Sequence, residues 1–267
     1  MAKEIYELYG GKVQLDYDSK FHIYSVAGKQ VYGVTNIIGV LAKPALIFWA
    51  SNMAAEYAQS NLQPGKALDE IQIKNLVEGI RTAHRIKKEM AADIGTIGHQ
   101  WIANYIKARL EKKPLPKKPI NEELKAGIEG FFKWAKENKI VLAKSEQKIY
   151  SKKYKFAGTY DLEALIGGKK TIIDFKFSNA IYDEYVLQAS AYLKAREEEL
   201  QKEYSGGVKI LRLSKQKNDI APFEVRNINR EEVDRYFRIF LYCLGIYRFQ
   251  MENKKIAALN RINGKVN

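Results

Sequence analysis

Alternation of apolar and polar residues predicts a β-hairpin near the N-terminus. Two alternating stretches within residues 12–32 flank a polar turn at residues 18–20. Thr35 is the predicted N-cap of a short helix that ends near Leu41. Pro44 predicts the first turn of a second helix, because proline is tolerated at that position.

Helical periodicity dominates the next part of the chain. Residues 69–111 follow helical spacing, and we predict a break in this helix at Gly95-Thr96. A basic connector interrupted by prolines occupies residues 112–119. Asn121 is the predicted N-cap of a further helix that runs to about Asn138.

The pattern becomes strand-like after residue 140. Short apolar or alternating stretches predict strands at 141–150, 158–166, 171–177, 208–213 and 222–228. Gly167-Gly168 predicts a hairpin turn, and helical spacing returns over residues 183–204 and 230–254.

This order of elements predicts a single α/β domain over residues 1–267. Its parts are an N-terminal β-hairpin (1–33), a helical portion (34–140), a core of strands (141–228), and a C-terminal helix and tail (229–267).

Charge and composition narrow the class of protein. The formal net charge of +14 over 267 residues is typical of a polyanion-binding protein and equally of a lysine-rich solvated surface. No apolar run approaches the roughly 20 residues that cross a bilayer, and the polar start lacks a secretion signal, so we expect a cytoplasmic protein with no membrane partner. Cys243 is the only cysteine, which excludes an intrachain disulfide and a four-cysteine iron–sulfur cluster.

The stretch from Ile172 to Phe177 carries two charges in an apolar strand. Asp174 and Lys176 share one face, because side chains alternate along a strand. Burial of unpaired charge is costly, so these residues either pair with each other or serve a site.

The preceding strand favours a site. We expect Ile166 to pair near Thr171 across the glycine turn, which sets Asp161 close to Lys176 or one pair away. Asp161 and Asp174 would then repel each other unless a cation bridges them. Carboxylate oxygens of this kind favour Mg²⁺ or Mn²⁺.

Four motifs in this order resemble the PD-(D/E)xK nuclease superfamily, in its RecB-type branch. Asp161, Asp174 thirteen residues on (174 − 161), and Lys176 match its central signature, and Gly158 to Asp161 matches the short Gly-x-x-Asp form. Gln188 to Tyr192 is similar to the Gln-x-x-x-Tyr motif, and Gly95 to His99 to the Gly-Thr-x-x-His element. The resemblance spans about residues 34–215, and it includes phage-type and mitochondrial genome-maintenance exonucleases.

The resemblance implies a restriction-endonuclease-like mixed β-sheet core flanked by helices, with residues 141–228 as the catalytic core. It implies that His99, Asp161, Asp174 and the carbonyl of Phe175 bind one or two Mg²⁺ or Mn²⁺ ions. Lys176 would be the catalytic lysine, and Glu146 would bind a second metal or a metal-bound water. Gln188 and Tyr192 would hold the DNA strand.

Each assignment has a structural alternative. His99 shares a helix face with Ile102 and Ile106 and could be a core histidine, whereas Glu146 could pair with neighbouring lysines. Gln188 and Tyr192 could be helix packing, since they lie at i and i+4.

Basic residues are predicted to line the path of DNA. Phosphate contacts are expected from a turn and from the strand after the long helix: Lys152, Lys153, Lys155, Arg212 and Lys215. The lysines of the 112–119 connector are better explained as a solvated loop.

The leading functional hypothesis is a metal-dependent DNA exonuclease, phage-encoded, prophage-encoded or bacterial, that acts in replication, recombination or repair. Its partner is DNA, single-stranded or with ends, with a recombination or replication protein as a further partner. The alternatives are a structure-specific or restriction-like endonuclease and a catalytically inactive DNA-binding or recombination-partner module. The sequence contains no Walker A motif, so any unwinding would need another protein.

Overall fold

The structure is a computed structural model that describes residues 4–118, 121–217 and 219–263. The chain divides into two compact units, of which one comprises residues 42–97 and the other residues 1–41 together with 98–267. The organisation of residues 1–267 as a single domain stays a prediction. The first three residues of the predicted hairpin region, the end of the basic connector at Pro119 and the last four residues of the predicted tail lie outside the described residues.

The N-terminal region forms an antiparallel meander of four strands. These are β1 (Glu4–Leu8), β2 (Val13–Asp18), β3 (Ile23–Val26) and β4 (Lys29–Gly33). The predicted turn after Asp18 is present, but one hairpin was too simple a prediction. Ala27 and Gly28 adopt positive φ angles of 49° and 72° and form a second turn between β3 and β4.

The two predicted N-caps have different outcomes. Helix α1 (Val34–Ile38) begins after Gly33, so Thr35 lies inside the first turn and the prediction of Thr35 as the N-cap was wrong. Helix α4 (Glu122–Glu137) begins after Asn121, whose side chain accepts a hydrogen bond of 2.8 Å from the backbone N–H of Glu123. That N-cap prediction is confirmed, and the bond satisfies one of the free N–H groups at the start of the helix.

Residues 42–97 contain helix α2 (Pro44–Asn61) and most of helix α3 (Glu70–Leu110). Pro44 opens α2, as predicted. The predicted break at Gly95-Thr96 is absent, because α3 continues through both residues. The Thr96 hydroxyl donates to the carbonyl of Ala92 at 2.9 Å and is thereby satisfied within the helix.

The central sheet has the restriction-endonuclease-like mixed α/β arrangement that the sequence predicts. Five further strands continue it: β5 (Val141–Ser151), β6 (Phe156–Ile166), β7 (Lys169–Phe177), β8 (Val208–Leu213) and β9 (Phe223–Ile228). The order is β1-β2-β3-β4-β6-β7-β8-β9, with β5 also paired to β6. The β4–β6 and β7–β8 pairs are parallel, and the others are antiparallel.

The register of the β6–β7 hairpin differs from the prediction by two residues. Ile166 pairs with Lys169 rather than near Thr171, because Gly167 and Gly168 adopt positive φ angles and form a tight two-residue turn. A shift of two keeps every side chain on its predicted face. The pairing ends at Leu162 and Ile173, so Asp161 and Asp174 are the first residues beyond it.

Two long helices cover the core beside the sheet. Helix α5 (Asp183–Leu200) connects the parallel strands β7 and β8, and it ends four residues earlier than predicted, at Gln201 in the left-handed conformation. Helix α6 (Arg230–Asn263) places Phe240 in the main apolar cluster together with Tyr192. Within the described ranges, no helix combines the length and apolar character that a bilayer crossing needs.

Candidate metal centre

Three side chains from three elements converge where β5 and β6 lie beside α3. The Nε2 atom of His99 lies 3.0 Å from Oδ2 of Asp161, and its Nδ1 atom lies 3.9 Å from Oε1 of Glu146. One ligand atom from each of these residues lies within 4.8 Å of the others. His99 is therefore part of a polar cluster rather than a core histidine.

Gly98 explains how His99 reaches the sheet. A Cβ atom at Gly98 would lie 2.6 Å from the ring of Phe177 on β7 and 2.8 Å from the side chain of Leu124 on α4. No side chain fits in that space, so glycine lets this part of α3 approach β7 closely. The next residue on the helix, His99, is thereby placed against Asp161.

Asp161 is fixed by two donors at one oxygen. Its Oδ2 atom accepts a 2.6 Å hydrogen bond from the backbone N–H of Phe175 and also contacts His99. Burial raises the pKa of Asp161, but His99, Lys176 and the Phe175 amide outweigh burial, and the net pKa is lowered. Asp161 is thus held as a carboxylate, the form that binds cations.

Glu146 has an unusual backbone for a strand residue. Its φ angle is +51°, although it lies in the middle of β5, and the register of β5 shifts nearby between Leu142 and Lys144. A non-glycine residue in the left-handed region is strained, and such residues cluster at functional sites. Burial and the charge of Asp161 raise the pKa of Glu146 to about 7, and its Oε1 atom has no hydrogen-bond donor.

Asp174 and Lys176 form the second half of the cluster. Lys176 Nζ lies 2.8 Å from Asp174 Oδ2, and Asp174 is 1% exposed. Burial, aided by the charge of Asp161, raises the pKa of Asp174 to about 6 despite Lys176. Burial opposes the charge of Lys176, but the negative charges of Asp174 and Asp161 outweigh burial and raise its pKa. The lysine is therefore a cation and a hydrogen-bond donor.

The charge balance of the cluster favours a bound cation. Asp161 raises the pKa of His99 to about 9, although burial alone would lower it. An imidazole nitrogen and carboxylate oxygens form a donor set that divalent metal ions accept. The buried Oε1 atom of Glu146 also lacks a donor. His99, Glu146 and Asp161 therefore suit a divalent ion, with Asp174 adjacent and Phe175 contributing its backbone amide to the site.

The Gln-x-x-x-Tyr pair is buried beside this cluster. Gln188 Nε2 donates to the Tyr192 hydroxyl at 2.8 Å and to Thr35 Oγ1 at 3.1 Å. Burial, together with the charges of Asp174 and Asp161, raises the pKa of Tyr192 well above its usual value. Gln188 and Tyr192 thus lie next to the metal centre and are bound to each other.

The predicted basic residues have different surroundings. Lys152, Lys153 and Lys155 form the β5–β6 turn, where Glu198 accepts hydrogen bonds from Ser151 Oγ at 2.5 Å and from the Lys153 N–H at 3.0 Å. Asp161 lies five residues along β6 from the start of that strand, so the turn is about 17 Å from the metal centre.

Arg212 is committed to the fold. It is 5% exposed, and its guanidinium donates to the carbonyl of Ala221 at 2.8 Å and contacts Asp219 and Glu224 at 3.6 and 3.4 Å. These partners occupy the guanidinium, and a contact between Arg212 and DNA stays a prediction. Lys215 follows β8 and is half-buried.

Two residues next to the site, Tyr185 and Thr35, were not predicted from the sequence as site residues. The ring of Tyr185 lies 5.1 Å from Lys176 Nζ, and Thr35 accepts from Gln188. Tyr185 precedes Gln188 by three residues and Tyr192 by seven, so helical spacing alone places it on their face of α5. Glu163, also on β6, accepts a 3.0 Å hydrogen bond from the Tyr160 hydroxyl.

Solved structures with a similar arrangement include exonucleases. An alkaline exonuclease from Laribacter hongkongensis is 14% identical with a TM-score of 0.37, and the match covers 63% of this chain and 86% of that one. A structure of the same enzyme in complex with dAMP is 13% identical with a TM-score of 0.36, over 83% and 99% of the two chains. A putative exonuclease from Eubacterium rectale is 11% identical with a TM-score of 0.39, over 58% and 68%.

These identities and TM-scores are too low to assign a family. No family model matches the sequence, and no curated protein matches it. The geometry of the candidate metal centre is the feature that points to a function.

Proposed function

We propose that this protein is a metal-dependent DNA exonuclease that hydrolyses phosphodiester bonds in phage or bacterial DNA replication, recombination or repair. The observation that carries the proposal is the convergence of His99, Glu146 and Asp161, with a buried aspartate–lysine pair beside them. Metal ligands next to a buried cation are the groups that phosphodiester hydrolysis requires.

The metal ligands in this proposal are His99, Asp161, Asp174 and the carbonyl of Phe175, and Glu146 binds a second metal or a metal-bound water. A bound Mg²⁺ or Mn²⁺ would polarise the phosphoryl oxygen and acidify an attacking water. The Phe175 amide and the 3.0 Å contact with His99 fix Asp161, so its oxygens are oriented before the substrate binds. The number of ions, one or two, follows from whether Glu146 shares the ion of Asp161.

Lys176 acts on the phosphate by electrostatics. Its ammonium is held by Asp174 at 2.8 Å and lies 5.1 Å from the ring of Tyr185, and both contacts favour the charged form. Because its pKa is raised, Lys176 donates a hydrogen bond rather than removing a proton. It orients the attacking water and stabilises the negative charge that develops on the phosphate oxygens.

Gln188 and Tyr192 support the site from α5. Their mutual hydrogen bond and the bond to Thr35 hold that wall of the site in one arrangement. DNA phosphates beyond the metal centre would meet the basic turn Lys152–Lys155 and Lys215, and such contacts weaken as salt rises. A cytoplasmic location and a replication or recombination partner protein belong to the same proposal.

A cleavage assay tests the proposal directly. Linear 5′- and 3′-labelled DNA, single- and double-stranded, is incubated with pure protein in Mg²⁺ or Mn²⁺, and circular single-stranded DNA is the control for end dependence. We expect linear DNA to be degraded, circular DNA to remain intact, and EDTA to abolish cleavage.

Each alternative outcome is informative. Cleavage that survives EDTA contradicts the metal role, and cleavage of the circular substrate assigns an endonuclease instead. Absence of cleavage of every substrate in both metals, with DNA binding retained, assigns an inactive DNA-binding module.

A further inference from the structure

A pocket lies next to the candidate metal centre, and apart from Thr35 and Tyr192 its lining residues have no role in the proposed chemistry. It has a volume of about 310 Å³, and its lining comes from the N-terminal meander, α1, β6 and α5. That volume is at the lower end of the range of small-molecule sites. Gly158, which lines it, precedes Asp161 by three residues on β6, so the pocket lies about 10 Å along the strand from the metal ligand.

The lining is aromatic and polar but carries no lysine, arginine or carboxylate among the described residues. Tyr24 and Tyr192 contribute rings, and Asn36 and His22 contribute groups that form hydrogen bonds. A phosphate would find no opposite charge here. A nucleobase suits this lining, because it stacks on rings and bonds through its edge.

Neighbouring residues hold the rings of Tyr24 and Tyr192 in place. Tyr24 stacks on Tyr17 with 4.8 Å between ring centroids, and the Tyr24 hydroxyl shares a 2.9 Å hydrogen bond with Thr159. The Tyr192 ring packs directly against the backbone of Gly158. A Cβ atom at Gly158 would lie only 2.5 Å from that ring. A stacking surface that is already ordered loses little entropy when a base binds.

The polar groups that face the pocket retain bonding capacity. His22 uses Nδ1 for a 2.7 Å hydrogen bond with Tyr17, and no described residue bonds to its Nε2 atom. Within the described part of the chain, the exposed side-chain amide of Asn36 has no protein partner. An amide offers a donor and an acceptor together, the combination that pairs with a base edge.

The pocket also has room for an occupant because of Gly33. A Cβ at that position would lie in van der Waals contact with the pocket wall, 3.5 Å from the Tyr24 ring and 3.8 Å from the Asn36 amide nitrogen, so it would take up part of the pocket. Gly33 is the last residue of β4, which pairs with β6 at Ala157. The pocket and the metal centre are therefore joined by one strand.

We infer that this pocket is a nucleobase subsite that receives the unpaired base of a nucleotide flanking the scissile phosphate. The inference rests on the proposed function, and it specifies that the substrate is single-stranded at the position of cleavage. A base in a duplex is stacked and paired, so its edge and faces could not enter the pocket.

A base-deletion scan tests the subsite by binding, separately from cleavage. The Lys176→Ala protein in Mg²⁺ is titrated with labelled single-stranded oligonucleotides that carry one abasic residue at successive positions from each end. We expect a loss of affinity of about fiftyfold at one position near an end, because the missing base loses both its stacking, about tenfold, and its hydrogen bond to Asn36, about fivefold. Other positions should differ from intact DNA by less than about twofold.

Two further variants, each made in the same Lys176→Ala background, link the effect to the pocket. Asn36→Ala should reduce the abasic penalty about fivefold, the scale of a lost hydrogen bond. Asn253→Ala removes an equally exposed amide on α6 and should leave the penalty unchanged. A base replaced by 5-iodouracil at the sensitive position should photocross-link to Tyr24, Tyr192 or His22.

The outcomes separate the two proposals. Equal affinity for every abasic position, a penalty unchanged by Asn36→Ala, or cross-links outside the pocket would overturn the subsite, whatever the cleavage assay shows. Wild-type protein that binds DNA with the predicted base dependence but cleaves nothing would overturn the exonuclease and leave the subsite in place. Absence of DNA binding would overturn both.

Discussion

His99 on α3 meets Asp161 on β6 with 3.0 Å between Nε2 and Oδ2. The pairing joins a helix to the sheet through polar groups, and it exists because glycine precedes the histidine. Asp161 also receives the Phe175 amide, so one oxygen connects α3, β6 and β7.

The Gly98→Ala substitution tests this dependence on close packing. The added Cβ would overlap Phe177 and Leu124, and overpacking of this kind costs about 1–3 kcal/mol of unfolding free energy. We expect lower stability in denaturant titrations and a weaker metal affinity. Gly245→Ala is the matched control in α6, where no atom lies within 4 Å of the new Cβ, and it should stabilise by about 0.5–1 kcal/mol. Equal effects of both substitutions would contradict the packing argument.

Glu146→Gly should raise stability while it lowers activity. Glycine adopts the left-handed conformation without strain, so we expect a gain of about 1 kcal/mol in unfolding free energy. Loss of the carboxylate should reduce metal affinity, measured by titration calorimetry with Mn²⁺. The control is Lys139→Gly, which has a φ angle of +46° just after α4 and should gain stability without loss of cleavage. Unchanged metal binding in Glu146→Gly would remove Glu146 from the site.

Lys176→Ala should reduce the rate of DNA cleavage by about a hundredfold to a thousandfold, the scale of removing one group that stabilises developing charge. DNA binding should persist, because phosphate contacts elsewhere remain. Lys169→Ala, an exposed lysine on the same strand, should cleave at the wild-type rate. A fully active Lys176→Ala protein would show that the catalytic lysine was misassigned.

The metal-free protein should become less stable as pH rises from 6.5 to about 9, because His99 loses the proton that stabilises the folded state. The native pKa is raised to about 9 from 6.5, chiefly by Asp161, so the native state binds more protons than the unfolded state in this window. The contribution of His99 is complete below pH 6.5 and is lost as pH passes through 9. Urea titrations in EDTA should show this slope in the wild type and a smaller slope in His99→Gln; parallel slopes would contradict it.

The sequence predicted elements well where local chemistry decides them. Asn121 caps α4, Pro44 opens α2, and the glycine pair closes the β6–β7 hairpin, because each residue type acts within a few positions of itself. Thr35 failed as a cap because its hydroxyl accepts from Gln188, a contact that depends on α5. Helix α3 continues through Gly95-Thr96, where the Thr96 hydroxyl bonds back to Ala92, so the local glycine signal did not end the helix.

The sequence named most residues of the polar cluster but not how they pair, and their roles stay predictions. Strand alternation placed Asp174 and Lys176 on one face, and the resemblance named His99 and Asp161. The left-handed backbone of Glu146 has no local signal, since neither glycine nor asparagine marks it. The sequence around Arg212 also did not indicate that this residue is buried. Its partners Asp219 and Glu224 lie later in the chain, in a loop and a strand.

Among the residues that the structure describes, the strand pairing between the N-terminal meander and the rest of the sheet consists of two pairs of β4 and β6, Tyr32 with Phe156 and Gly33 with Ala157. This short β4–β6 pairing should open locally more often than the long β5–β6 ladder does. The amide protons of the β4–β6 pairing should therefore exchange faster with deuterated water. The pocket spans the β4–β6 pairing, with lining residues from the meander on one side and from β6 and α5 on the other. An oligonucleotide bound there would contact both sides of the β4–β6 pairing and hold the two strands together. Its binding should therefore slow amide exchange at Tyr32 and Gly33.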